Sequence, residues 1–123
     1  MAIDVKQNLS YAPLQQIKVL ITEDFPKHRC VNIVDGKFAD AGDAMFGVSE
    51  ISWDSGDFAS FIVSGTAIVE TSEAIAVGDT LMAANDGKVA TRALAVATLG
   101  VAITACSLPG YIVATINPVP AVL

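Results

Sequence analysis

An all-β fold is what this sequence predicts: a single-domain β-roll or barrel, residues 17–123, preceded by an extended N-terminal arm, residues 1–16. Three observations predict it. Short apolar stretches with period-two alternation and many β-branched or aromatic residues recur along the chain. Clusters of Gly, Asp, Asn, Pro and Ser separate them at intervals of roughly eight to twelve residues. Almost nowhere does a capped helical period appear. That combination belongs to rolls, sandwiches and barrels rather than to helical or α/β domains.

Taken in order, the arm has low hydrophobicity, and Pro13 blocks helix continuation and a central strand. Residues 17–21 read as the first strand, ended by the polar turn at 23–26. Residues 29–34 form the second, and Asp35-Gly36 offers a hairpin into Lys37-Phe38. A loop at 39–43 leads to apolar pieces at 45–48 and 50–53, then to the turn cluster Asp54-Ser55-Gly56-Asp57. Residues 58–69 alternate strongly, with Gly65 placed as a bulge. Ile75 and Val77 alternate with small residues as a half-buried strand, Gly78-Asp79 breaks the run, and 80–83 resumes it. Asn85-Asp86-Gly87 tolerates positive φ, so the chain reverses there with Gly87 in the left-handed region and returns through 88–91. A short helical turn is expected over 90–97. Strands at 98–104 and 111–116, separated by Pro109-Gly110, close the domain, and the tail at 118–123 has no obvious strand partner.

At 123 residues the chain makes one domain with a single core. Apolar residues make up 53% and the mean hydropathy is +0.56, high for a soluble monomer. Residues 93–123 carry no charge, which raises a membrane segment as one explanation. Gly100, Ser107, Pro109-Gly110, Asn117, Pro118 and Pro120 interrupt that run below the roughly 20 residues a spanning helix needs. The first eight residues lack the apolar core of a signal peptide. The remaining explanation is burial against further copies, in a soluble protein made inside the cell.

Charge is uneven. Residues 1–37 hold five bases and four acids, whereas residues 38–123 hold two bases and nine acids, giving −6 in all. An acidic body argues against nucleic acid as a partner, because phosphate contacts need a basic surface. Cys30 and Cys106 are too few for a zinc site, and His28 is the only histidine, so neither zinc binding nor nucleophilic catalysis has its parts. Two buried free thiols are expected, a disulfide only if their strands meet. Asp40/Asp43 and Asp54/Asp57 each flank a glycine in a turn, where Asp serves the backbone. No phosphate-binding loop is present. The expectation is a protein that is not an enzyme and uses no cofactor.

The motifs Phe38-Ala39-Asp40-Ala41-Gly42, Phe46-Gly47-Val48, Ser64-Gly65-Thr66-Ala67-Ile68-Val69-Glu70, Ile75-Ala76-Val77-Gly78-Asp79, Asp86-Gly87-Lys88-Val89 and Leu99-Gly100-Val101-Ala102 follow one another in that order. Across residues 30–116 this series resembles the small capsid cement, or head decoration, proteins of tailed bacteriophages. The resemblance implies a β-rich subunit that assembles as homotrimers on the outside of an icosahedral head. It would bind the major capsid protein there and clamp neighbouring capsomers. It also implies a virion location after synthesis in the host cytoplasm, and it brings no catalytic residues.

Within that reading the arm is the segment to meet the capsid, with Ile3, Val5, Lys6, Leu9 and Tyr11 as contact residues. Such a segment orders only when a partner supplies a groove or a sheet edge. Two rival readings stand beside it. A biotinyl or lipoyl-like carrier would use Lys88 at its hairpin tip. A receptor- or glycan-binding phage surface domain would gather Trp53, Phe58 and Tyr111 into one exposed cluster.

Overall fold

The computed structural model of the chain describes residues 10–92 and 96–119. Within them run β1 (Pro13–Leu20), β2 (Cys30–Asn32), β3 (Lys37–Phe38), β4 (Gly47–Ser49), β5 (Phe58–Glu70), β6 (Thr80–Ala83), β7 (Val89–Thr91), β8 (Gly100–Val101) and β9 (Tyr111–Ile116). The larger antiparallel sheet has the order β1-β5-β4-β2-β3, with β9 also paired to β5. The smaller has the order β7-β6-β8. The all-β expectation holds, but the barrel does not close. Single bridges, Thr71 to Val89 and Ala102 to Ala114, touch one sheet to the other, and among the described residues no ladder runs between them. Strands of two and three residues are too short to supply one. Among the described residues no helix is long and apolar enough to cross a membrane.

The long strand β5 organises the molecule. Its first part pairs with β1, Leu20 opposite Phe58 through Pro13 opposite Gly65, and briefly with β4; its second part pairs with β9 from Gly65 to Glu70. Ala59 and Phe61 belong to one apolar cluster, with Val19, Ile21, Phe25 and Val31. Ile62, Ala67 and Val69 belong to the other, larger one. Phe61 and Ala67 are six residues apart, which in a regular strand puts them on the same face. They serve opposite clusters because Gly65 sits at φ +92 beside the register shifts of the β1–β5 ladder. One residue out of step exchanges the faces of everything beyond it. Only glycine fits there, since a Cβ would collide with the Ala12 carbonyl and the Leu14 amide.

The larger cluster lies between the sheets. It collects Val48, Ile62 and Val69 from the large sheet, Leu81, Ala83 and Val89 from the small one, and Ile112, Ala114 and Ile116 from β9. Two buried polar residues close its rims. Ser49 Oγ donates to the Pro26 carbonyl at 2.7 Å and accepts from the Arg29 amide at 3.1 Å. Thr71 Oγ1 accepts from the Gly110 amide at 2.9 Å, which folds the 104–110 loop back onto the end of β5.

Several expected strands are replaced by bridges and turns. Residues 13–16, drawn as arm, belong to β1, because Pro13 opens an edge strand where its missing N–H costs nothing. Ile75 is buried but Val77 is 66% exposed, for residues 76–79 form a turn rather than a strand. Of the piece at 50–53 only Trp53 pairs, with Phe25, and the strand expected at 98–104 shortens to β8. Ala90 and Thr91 are strand residues, while 93–95, the middle of the expected helical turn, lie outside the described residues. Val119 in the tail does have a partner, exchanging both backbone hydrogen bonds with Thr98.

Candidate interaction surface

The root of the arm is fastened to the body at two consecutive residues. Tyr11 Oη donates to Glu50 Oε2 at 2.8 Å, and the ring packs against the inter-sheet cluster. That hydrogen bond, with burial and the negative charge of Glu50, pushes the phenol above its ordinary pKa. Ala12 then exchanges with Thr66: its amide donates to Thr66 Oγ1 at 2.7 Å and its carbonyl accepts the Thr66 amide at 3.1 Å. Tyr11 is therefore an anchor within this chain. Ile3, Val5, Lys6 and Leu9 lie outside the described residues.

Beyond the root, β1 is the terminal strand of its sheet. Its residues Pro13 to Gln16 are exposed on both faces, and Lys18 faces solvent. Leu20 and Phe58 sit opposite each other at 50% and 65% exposure, an apolar pair left in solvent.

The loop before β2 is held by the buried Ser49 and presents His28 and Arg29. His28 adopts φ +68, donates its amide to the Ser49 carbonyl at 2.6 Å and accepts the Glu70 amide at 3.0 Å. Its ring meets Tyr111 edge-on at 5.6 Å. Burial, aided by Lys27, lowers its pKa, so the ring prefers to stay neutral. Arg29 Nε donates to Glu70 Oε1 at 2.8 Å, Nη1 donates to the Asp86 carbonyl at 3.0 Å, and the guanidinium lies 5.7 Å from the Phe38 ring centre. Lys88 Nζ lies 3.5 Å from the other oxygen of Glu70. One carboxylate thus ties the end of β5 to the start of β2 and to the hairpin of the small sheet. This constellation spans residues up to 59 apart, and no local pattern announces it. It also occupies Lys88, which a carrier domain would have to offer freely.

Beside this tie opens a groove of about 540 Å³. Phe25, Phe38 and Trp53 form its apolar wall, and Asp24, Asp54 and Asp86 stand around it with Arg29 and Lys88. The Trp53 indole N–H is buried with no acceptor among the described residues, a state that costs about 1–3 kcal/mol where it persists. The three aromatics proposed for a glycan site do not gather: Phe58 opens β5, and Tyr111 pairs with its last residue.

The remaining chemistry is structural. Asp40-Ala41-Gly42-Asp43, Asp54-Ser55-Gly56-Asp57 and Ala76-Val77-Gly78-Asp79 repeat one turn. In each, the glycine has φ between +80 and +94. The final Asp accepts from the amide three residues earlier at 2.9–3.0 Å, and its own amide donates back to that carbonyl at 2.9–3.1 Å. Type II turns place glycine at this position, so the carboxylates are committed to the backbone. Among the described residues no group of three or more His, Cys, Asp or Glu is arranged to hold a metal ion. Cys30 and Cys106 are both free thiols; Cys30 is fully buried, which pushes its pKa up to about 12.

The sequence pattern of phage cement proteins matches residues 21–116, well over half of the chain. The chain belongs to the phage cement protein family. It is therefore a phage capsid-associated structural protein, and its place is at the virion capsid. Among solved structures, the N base of the head fiber gp8.5 of bacteriophage phi29 has a similar fold. Its TM-score is 0.68 at 16% identity, over 84% of this chain and 93% of that one. No curated protein sequence matches this cement protein. The family match begins at Ile21, so both the arm and β1 lie ahead of the shared part.

Proposed function

We propose that this chain seats on the outer surface of a phage head as a homotrimer, binds the major capsid protein and holds neighbouring capsomers together. What carries this reading is the way the N-terminal segment leaves the body of a cement-family domain. Tyr11 and Ala12 are pinned to Glu50 and Thr66, and an exposed edge strand follows at once. A pinned root aims whatever precedes it, and residues 1–9, with Ile3, Val5, Lys6 and Leu9, supply apolar and basic groups for a partner surface. Three such segments on a trimer raise overall attachment far beyond one, because each contact after the first is intramolecular.

The test is co-sedimentation with undecorated heads, comparing the full chain with a chain lacking residues 2–9. The deletion spares the Tyr11 and Ala12 anchors, so its circular dichroism and sedimentation coefficient should match a folded trimer. Its affinity for heads should fall about tenfold or more. Equal affinity would remove the arm from the account, and monomers both free and on heads would remove the trimer.

A further inference from the structure

We propose that the groove over the aromatic cluster receives a cationic side chain, lysine or arginine, carried by an extended segment of the capsid shell on which this chain sits. The proposal rests on the capsid reading above and adds the chemistry of one contact. Three features of the groove select a cation. Asp24, Asp54 and Asp86 surround it, and among the described residues none of the three has a lysine or arginine within ion-pair distance. The two bases that line it, Arg29 and Lys88, share the single carboxylate of Glu70, so three aspartates and Glu70 stand against two bases and a net charge of −2 remains. The wall between the carboxylates is aromatic, and ring faces attract cations while accepting the methylene stem of the same side chain.

Arg29 already shows the mode, with its guanidinium above Phe38 and its nitrogens on Glu70 and the Asp86 carbonyl. A second cation in the groove would repeat it with Trp53, which also lines the groove, as the ring. The volume suits a side chain with its flanking backbone, being inside the range of about 300–1,000 Å³ typical of small-ligand sites. A neutral sugar would leave the charge of the three carboxylates uncompensated. The carboxylates keep their solvent exposure, so the contact is sensitive to salt and serves docking more than folding.

Trp53 is the only tryptophan, so its fluorescence reports on this groove alone. The full chain is titrated with acetyl-Gly-Arg-Gly-amide, with the lysine and glutamate counterparts, and with N-acetylglucosamine. In parallel, the Asp24→Asn, Asp54→Asn, Asp86→Asn triple variant is compared with the full chain for binding to undecorated heads. Asparagine keeps the Oδ1 with which Asp24 accepts the Ser55 amide, and it tolerates the φ of +63 at Asp86, so the fold survives. Expected are saturable changes in the millimolar range with the arginine and lysine peptides only, abolished in the triple variant, and about tenfold weaker binding to heads with a flattened salt dependence. A response equal for the glutamate peptide, or one to the sugar alone, overturns the proposal, as does its absence with every probe. Heads that bind both chains equally overturn it while leaving the capsid reading intact. If the full chain does not bind heads at all, the capsid reading fails, and the peptide titration judges the groove by itself.

Discussion

The two parts of β5 on either side of Gly65 are built from the same kinds of residue and end up with different duties. From Gly65 to Glu70 the strand is flanked by β9, and Ala67 and Val69 vanish into the inter-sheet core. From Phe58 to Ser64 it carries the terminal strand β1, with Ala59 and Phe61 in the smaller cluster and only Ile62 reaching the inter-sheet core. The sealed part holds the two sheets together. The open part leaves Leu20 and Phe58 in solvent, an edge strand unpaired on one side and a groove walled by Trp53. The difference teaches where stability and attachment are kept apart. Substitutions of buried residues in the sealed part should unfold the protein, and those of the exposed residues Leu20 and Phe58 in the open part should leave it folded but detached.

The largest effect is expected in the sealed part. Ile112 is fully buried opposite Val69, and Ile112→Ala should cost about 2–5 kcal/mol through lost burial and the cavity left behind. Chemical denaturation measures it, and a cost below 1 kcal/mol, on the order of a surface substitution, would break the division. Next comes the hinge between the two parts. Gly65→Val forces a branched side chain into φ +92 and against the Ala12 carbonyl, so about 1–3 kcal/mol is expected. Hydrogen exchange should show the loss concentrated in β1 amides rather than in β9; uniform loss would mean that the parts are one unit.

A smaller, chemical difference separates the thiols. Cys30 is wholly buried with a pKa near 12, whereas Cys106 is partly exposed. At pH 8 an alkylating reagent should label Cys106 and spare Cys30 until denaturant is added, as mass spectrometry of the digested chain would show. Rapid labelling of both in the native state would contradict the packing described. The smallest effect belongs to the open part. Leu20→Ser with Phe58→Ser should change stability by no more than about 0.5 kcal/mol while weakening attachment to heads.

Legibility in the sequence followed the range of the interaction. The Gly-Asp turns at 42–43, 56–57 and 78–79, the Gly65 bulge and the positive φ of Gly87 were all readable, because each is decided by a residue and its immediate neighbours. Val77 misled because alternation with small residues looks the same in a strand and in a turn whose tip is apolar. Pro13 misled because its cost in a sheet depends on whether the strand is an edge, which only tertiary pairing decides. The Glu70 tie and the groove were invisible for the same reason. Arg29, Glu70 and Lys88 meet only after three strands have paired, and Trp53 reaches Phe25 across 28 residues. The family signal survived because it follows the local motifs, while its contact surface does not.

A cryo-electron microscopy map of undecorated heads mixed with the full chain tests the central claim most directly. The account predicts three-fold density on the outer surface, with the β1 edge, the root at Tyr11 and Ala12 and the Trp53 groove turned toward the shell. Density in which β9 or the small sheet meets the shell while β1 faces solvent would contradict it, as would heads that stay bare.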